Sequence, residues 1–261
     1  MSIQRYFGWR PDKPDFRDKI CQIQVPPALP FFVDLRPQFP AIYDQGPLGS
    51  CTANAISGVM ESDQIREKLK YEFIPSRLFI YYQERVMEGT VLSDSGAEIR
   101  DGVKSVNIYG ACPESDWPYN VAKFAVKPTP VAYKDAKLHK SLKYASVNVD
   151  VPSVQAVMAA GFPVVFGFTV YSSFMSDEVS QSGIMQMPVK SETVEGGHAV
   201  VMVGYSTVSW TDKGTGRSMP PGLIIRNSWG ADWGLGGYFV MPFGYVNTDL
   251  SDDYWQIDVV Q

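Results

Sequence analysis

Gln45-Gly46-Pro47-Leu48-Gly49-Ser50-Cys51-Thr52-Ala53-Asn54-Ala55 is the stretch on which the reading of this chain turns. A Gly/Pro-rich run stops at Ser50. Beyond it Ala55, Ile56, Val59, Met60 and Ile65 recur at helical spacing, with Glu61, Asp63, Arg66, Glu67 and Lys68 mostly on the other face. The spacing predicts a long amphipathic helix over 50–69 with Cys51 in its first turn. A thiol is a poor nucleophile until it is thiolate. A helix N-terminus offers unpaired N–H groups and partial positive charge, and a neighbouring imidazolium supplies most of the remaining stabilisation.

The chain has two histidines, so the choice of imidazole is narrow. His139 lies in Lys137-Leu138-His139-Lys140 and reads as a surface residue. His198 follows Gly196-Gly197 and opens the apolar run Ala199-Val200-Val201-Met202-Val203, a buried strand. Further on stands Asn227-Ser228-Trp229-Gly230. An asparagine carbonyl accepting one ring N–H would fix the histidine tautomer, and Trp229 could shield that bond from water. Gln45 is placed to reach back over the helix start, where its amide and the Cys51 N–H would make an oxyanion hole.

Outward from these anchors, Pro75 opens a second predicted helix over 76–87, and a third over 99–108 closes at Tyr109-Gly110. After the loop carrying Trp117-Pro118-Tyr119 the texture changes. A strand is predicted over 144–149, a helix over 153–160, then β-rich runs over 163–170, 183–187, 197–205, 222–226 and 237–241. A helical half followed by a β half implies an α+β chain of two lobes. Residues 1–33 are rich in proline and charge and read as an extended arm. The expected organisation is that extension, a mainly helical lobe over 34–142 and a mainly β lobe over 143–261.

The chain has 261 residues, 45% hydrophobic and 20% charged, with net charge -5, a globular composition. Without a concentrated basic surface a nucleic-acid partner is not expected. No apolar stretch reaches the ~18 residues of a membrane span. The first residues lack the apolar core of a secretory signal, so the protein is expected either inside the cell or exported through a signal outside this sequence. Three cysteines, Cys21, Cys51 and Cys112, are no disulfide framework; Cys21 and Cys112 are expected as unpaired buried thiols, with a bridge between them as the alternative. Scattered Cys and His residues offer no zinc cluster, so neither metal nor organic cofactor is expected.

On Gln45-Gly46…Gly49-Ser50-Cys51, Gly197-His198-Ala199-Val200…Gly204-Tyr205, Asn227-Ser228-Trp229-Gly230, Trp117-Pro118-Tyr119 and Ser182-Gly183-Ile184, the chain resembles the papain family of cysteine peptidases, which includes the cathepsins. The likeness covers roughly residues 34–261. It implies the two-lobe fold, with a helical lobe led by the Cys51 helix and a β-barrel-like second lobe. It also implies that Cys51 is the nucleophile, His198 its acid/base partner, Asn227 the orienting group and Gln45 the oxyanion donor. The substrate would be a peptide or protein, held by Ser95-Gly96 in strand fashion. A roomy, uncharged pocket of Ala97, Gly167 and Gly197 would take the second residue upstream of the cut, with Trp229 alongside.

Leu48 stands where the family usually has a half-cystine, and Thr52 where it has an aromatic residue, which leaves the nucleophile less covered. Residues 1–33 are too short for the long helical propeptide of lysosomal relatives. They would form a strap on the β lobe or a short inhibitory arm in the cleft. The same residues could serve acyl transfer to an amine, making a ligase. A peptidase scaffold can also be a non-catalytic peptide-binding module, although here Cys51, His198 and Asn227 are all present.

Overall fold

A computed structural model of the protein describes residues 6–69 and 72–260; residues 1–5 of the arm lie outside it. After a short strand β1 (Phe32–Asp34) come the helices α1 (Cys51–Glu67), α2 (Arg77–Glu88), α3 (Ile99–Ile108) and α4 (Pro130–Ala136). The second half holds β2 (Ser141–Ser146), α5 (Val151–Ala159), β3 (Val164–Tyr171), α6 (Asp177–Ser182), β4 (Val194–Ser206), β5 (Trp210–Thr211), β6 (Ser218–Met219), β7 (Gly222–Arg226), β8 (Tyr238–Met241) and β9 (Ser251–Val260).

Local chemistry sets the helix ends. Ser76 caps α2 by accepting the Phe79 N–H, and Gly89 ends it in the left-handed conformation at φ 72°. Asp150 caps α5 through the Ser153 N–H, with Pro152 in the first turn, where no donor is missed.

One antiparallel sheet runs in the order β2-β9-β3-β4-β7-β8, with β1 added alongside β4. This sheet is open at β2 and β8, so "barrel-like" describes it only loosely. Its two faces serve different cores. Ala199, Val201 and Val203 of β4 face α1 and the helical core, whereas Val200, Met202 and Tyr205 enter a second core with Phe166, Phe168 and Leu223. The period of two along the strand makes this division as far as Val203, and the register shift between Met202 and Gly204 brings Tyr205 onto the face of Val200 and Met202.

α1 is not the amphipathic surface helix expected. Cys51 through Met60 are all buried, as are Ser62, Asp63 and Gln64. The helix lies between β4 and β9 on one side and α2 and α3 on the other, which leaves it almost no solvent face. Residues 183–187 form no strand; Ile184 makes only an isolated bridge to Val240. Strand β9 was missed because Ser251-Asp252-Asp253 masks its start. All three cysteines are free, Cys21 giving its S–H to the Gln256 carbonyl (3.0 Å).

Candidate active site

Cys51 starts α1, and its sulfur receives the N–H of Ala199, the residue following His198 (Sγ···N 3.4 Å). That contact joins the helical lobe to β4. The His198 ring, wholly buried, is 2.8 Å from the Asn227 side-chain carbonyl through Nε2. Asn227 Oδ1 also accepts the Ser228 N–H, so it is an acceptor and the ring must be the donor at Nε2. Trp229 stacks on the imidazole at 4.8 Å with an interplanar angle of 25°, and Phe168 and Phe7 close its edges.

Gln45 is buried and fully oriented. Its carbonyl accepts from Ser228 Oγ (2.7 Å), and its amide nitrogen donates to the Leu48 carbonyl (2.9 Å) and to the carbonyl of Tyr6 (3.1 Å). Tyr119 steadies the same loop, its hydroxyl reaching the Gln45 carbonyl (2.8 Å) and Ser50 Oγ (2.5 Å). This explains the Trp117-Pro118-Tyr119 signal. His139 stands apart from this group: it follows α4 and packs its ring on Phe73 (4.2 Å).

The N-terminal arm threads this cleft. Trp9 N–H donates to the Gly197 carbonyl (2.9 Å), Arg10 N–H to the Ala97 carbonyl (3.1 Å), and Ala97 N–H to the Gly8 carbonyl (2.7 Å), a parallel pairing. The expected pairing at Ser95-Gly96 thus falls one residue later, at Ala97. Gly96, at φ 68°, turns the chain so that the Ala97 amide faces the cleft, and a Cβ on it would sit 2.0 Å from the Gly8 carbonyl. Ser95 turns instead to Thr90.

The Trp9 indole fills the pocket of Ala97, Gly167 and Gly197; a Cβ on Gly167 would lie 2.0 Å from the ring. That pocket is not uncharged. Asp253 of β9 puts a carboxylate at its floor, accepting Trp9 Nε1–H at 2.8 Å. Further along, beyond the strap formed by Lys19 and Cys21 on Ser146 of β2, the arm rejoins the β lobe at β1. On the Trp229 side, a cavity of about 780 Å³ is bordered by Asp44, Ser180, Arg217 and Asp232.

Burial pushes the Cys51 thiol up to about 11; the amides of Ala199, Gly8 and Thr52 pull the other way, and the Glu84 carboxyl adds to the rise. Thr52 does not leave the nucleophile uncovered, as expected from the missing aromatic. It is buried and donates to Glu84 Oε2 (2.8 Å), while Phe7 and Gly8 cover the sulfur's surroundings. Burial raises the Glu84 carboxyl to about 8, so it holds its proton at neutral pH. Sequence reasoning missed Phe7, Trp9, Glu84 and Asp253. The one available signal was the aromatic cluster Tyr6, Phe7 and Trp9 near the head of a proline- and charge-rich arm.

Comparisons with known proteins agree with this geometry. The family model described as papain family cysteine protease matches residues 29–252. An uncharacterized peptidase C1-like protein of Acanthamoeba polyphaga mimivirus is 41% identical over 286 aligned positions, covering 99% of this chain and 88% of that protein. A cathepsin B-like protein of Giardia intestinalis is 31% identical, covering 85% and 71% respectively. Among solved structures, xylellain, a cysteine protease from Xylella fastidiosa, superimposes with a TM-score of 0.88 at 41% identity, with both chains fully covered. No helix among the described residues is long and apolar enough to cross a membrane. With its Cys, His and Asn brought to one cleft and its family model matched across both lobes, this chain belongs to the papain family of cysteine proteases.

Proposed function

We propose that the chain hydrolyses peptide bonds through a thioacyl-enzyme on Cys51, with His198 as acid and base, Asn227 as its orienting partner, and Gln45 with the Cys51 N–H as oxyanion donors. The observation that carries this reading is the His198 Nε2–Asn227 bond of 2.8 Å on a strand whose next amide touches the Cys51 sulfur. With Nε2 committed to Asn227, Nδ1 is the ring atom left to exchange the proton with sulfur.

The thiolate adds to the scissile carbonyl, and negative charge collects on oxygen beside the Gln45 amide. Imidazolium then protonates the leaving amine, the C–N bond breaks and the thioester remains. Water, deprotonated by His198, attacks that thioester, and the proton returns to the departing sulfur. The tested site residues are separable by alkylation: a thiol-directed epoxide should modify Cys51 in the opened native protein and stop turnover. Modification without loss of turnover would overturn the assignment.

The arm fits as a cover. Its Tyr6 carbonyl takes the Gln45 donor, Trp9 takes the side-chain pocket, and the sulfur is wholly buried. In a substrate the pocket holds a residue upstream of the cut, so the chain toward the sulfur is C-terminal to it. In the arm it is N-terminal, the reverse direction, which suits a segment that occupies the cleft without being cut. The pocket that remains when Trp9 leaves suits a bulky side chain carrying an N–H that can reach Asp253.

A further inference from the structure

Besides its ion pairs to α2 and α3, the arm is tied to the cleft wall through two carboxyls, Asp12 and Asp253. Asp253 Oδ2 accepts Trp9 Nε1–H and the Asp12 N–H, each at 2.8 Å. Asp12 in turn accepts Trp255 Nε1–H (2.8 Å) and the N–H of Arg100 in the first turn of α3 (3.0 Å). Every one of these donors is neutral. Asp253 is also held at φ 58°, a left-handed backbone that an aspartate adopts rarely and that aims its carboxyl at the arm.

The surrounding charges are committed elsewhere. The Arg100 guanidinium lies over the Trp255 ring at 5.8 Å, paired with Asp18 (2.7 Å) and bonded to the Lys13 carbonyl. From the arm, Arg10 pairs with Glu88 of α2, and Lys13 approaches Glu98 at 3.7 Å. Lys104 of α3 reaches Asp15 (3.4 Å), Asp101 adds negative charge on α3, and Asp252 adds more on β9. Arg100 is the cation that acts on both carboxyls among the described residues, and it is shared with Asp18.

We propose that Asp12 and Asp253 form a proton-dependent latch: the arm closes the cleft most firmly while the pair retains a proton, and it lets go as the pH rises and both carboxyls ionise. Two ionised groups in one sheltered nook repel each other, and neutral donors compensate only part of that cost. Burial and the facing carboxyl accordingly hold Asp12 above the ordinary carboxylate range; burial and Asp252 do the same for Asp253.

The sign follows from proton uptake. A docked arm binds protons that an undocked arm, titrating near about 4, has already lost. Docking is therefore strongest in acid and weakens progressively into the mildly alkaline range. The proposal rests on residues 6–13 acting as a cover, and its test keeps the two ideas apart.

In a Cys51→Ala background, which cannot cut itself, the rate at which an added protease cleaves the arm would be measured from about pH 5 to about pH 9. A synthetic peptide of residues 6–18 gives the protease's own pH profile. Relative to that peptide, arm cleavage should rise at least about tenfold across this range. Asp12→Asn and Asp253→Asn should each reduce the slope, whatever they do to its level. A flat parent profile, or a slope unchanged in both variants, overturns the latch. Turnover of the unmutated protein on a small peptide substrate is followed in parallel. A sloped arm profile without any rise in turnover leaves the latch standing and removes the cover reading instead.

Discussion

Helix α1 and the N-terminal arm both meet at the Cys51 sulfur, but they are held there by different means. The helix buries Ile56, Val59 and Met60 among apolar side chains from both halves of the chain, from Leu78 and Val103 to Val201 and Val203. The arm is held by backbone hydrogen bonds at Gly197, Ala97 and Ser146, one indole in a glycine-lined pocket, a pair of carboxyls and ion pairs to α2 and α3. Removing the helix would dismantle the first of the two cores. Removing the arm exposes little beyond the cleft itself. Cys51 therefore sits on an element fixed by the core, and the arm that lies over it is attached by contacts of its own.

The comparison breaks first at the fixed side. Cys51→Ala should lower turnover of an opened enzyme to background, a loss on the order of 10⁵-fold or more, and His198→Ala should do nearly the same. His139→Ala should stay within about twofold. Steady-state kinetics on one peptide substrate checks all three, and equal losses from the two histidines would mean the wrong imidazole was chosen.

On the arm side, Trp9→Ala removes an aromatic contact worth about 3 kcal/mol or more. The freshly folded full-length protein should gain at least about tenfold in initial turnover, while its thermal midpoint falls by no more than about 10 °C, the loss of the docking contact alone. A large drop in that midpoint with no gain would make the arm part of the fold after all. Asn227→Ala should cost roughly 10- to 100-fold in kcat, less than His198→Ala, because it orients the ring and transfers no proton.

The smallest expected effect concerns Glu84 beneath Thr52. Its carboxyl is raised by burial, so the folded protein binds a proton there that the unfolded chain releases above the ordinary carboxylate range. Its contribution to stability thus declines as pH rises toward about 8. Glu84→Gln, neutral at every pH, should keep turnover within about threefold. Its thermal midpoint should gain on the parent between about pH 5 and about pH 8.5, and a gap that closes instead would refute the buried-acid account.

Much of the fixed side was legible beforehand because its signals are local. Spacing placed α3 over 99–108, Pro75 marked the start of α2, and the residue run after His198 announced β4. Where it misled, tertiary context had overridden a local pattern. The charges of α1 suggested a solvent face, yet Asp63 is buried against the sheet lobe. No element was expected after 241, yet Asp252 and Asp253 belong to β9, whose pairing with β3 is a long-range contact.

The sequence alone determined which residues could do the chemistry: one thiol at a helix start, one imidazole in a glycine-led strand, one asparagine beside a tryptophan. Each choice follows from the reactivity of a side chain and its immediate neighbours. Only the tertiary structure decided that Trp9 lies against Gly167, that Asp253 floors the pocket, and that Asp12 joins it from the other end of the chain. Such contacts depend on where folding brings distant backbone together, and a polar, proline-rich arm carries no periodicity that would reveal its resting place.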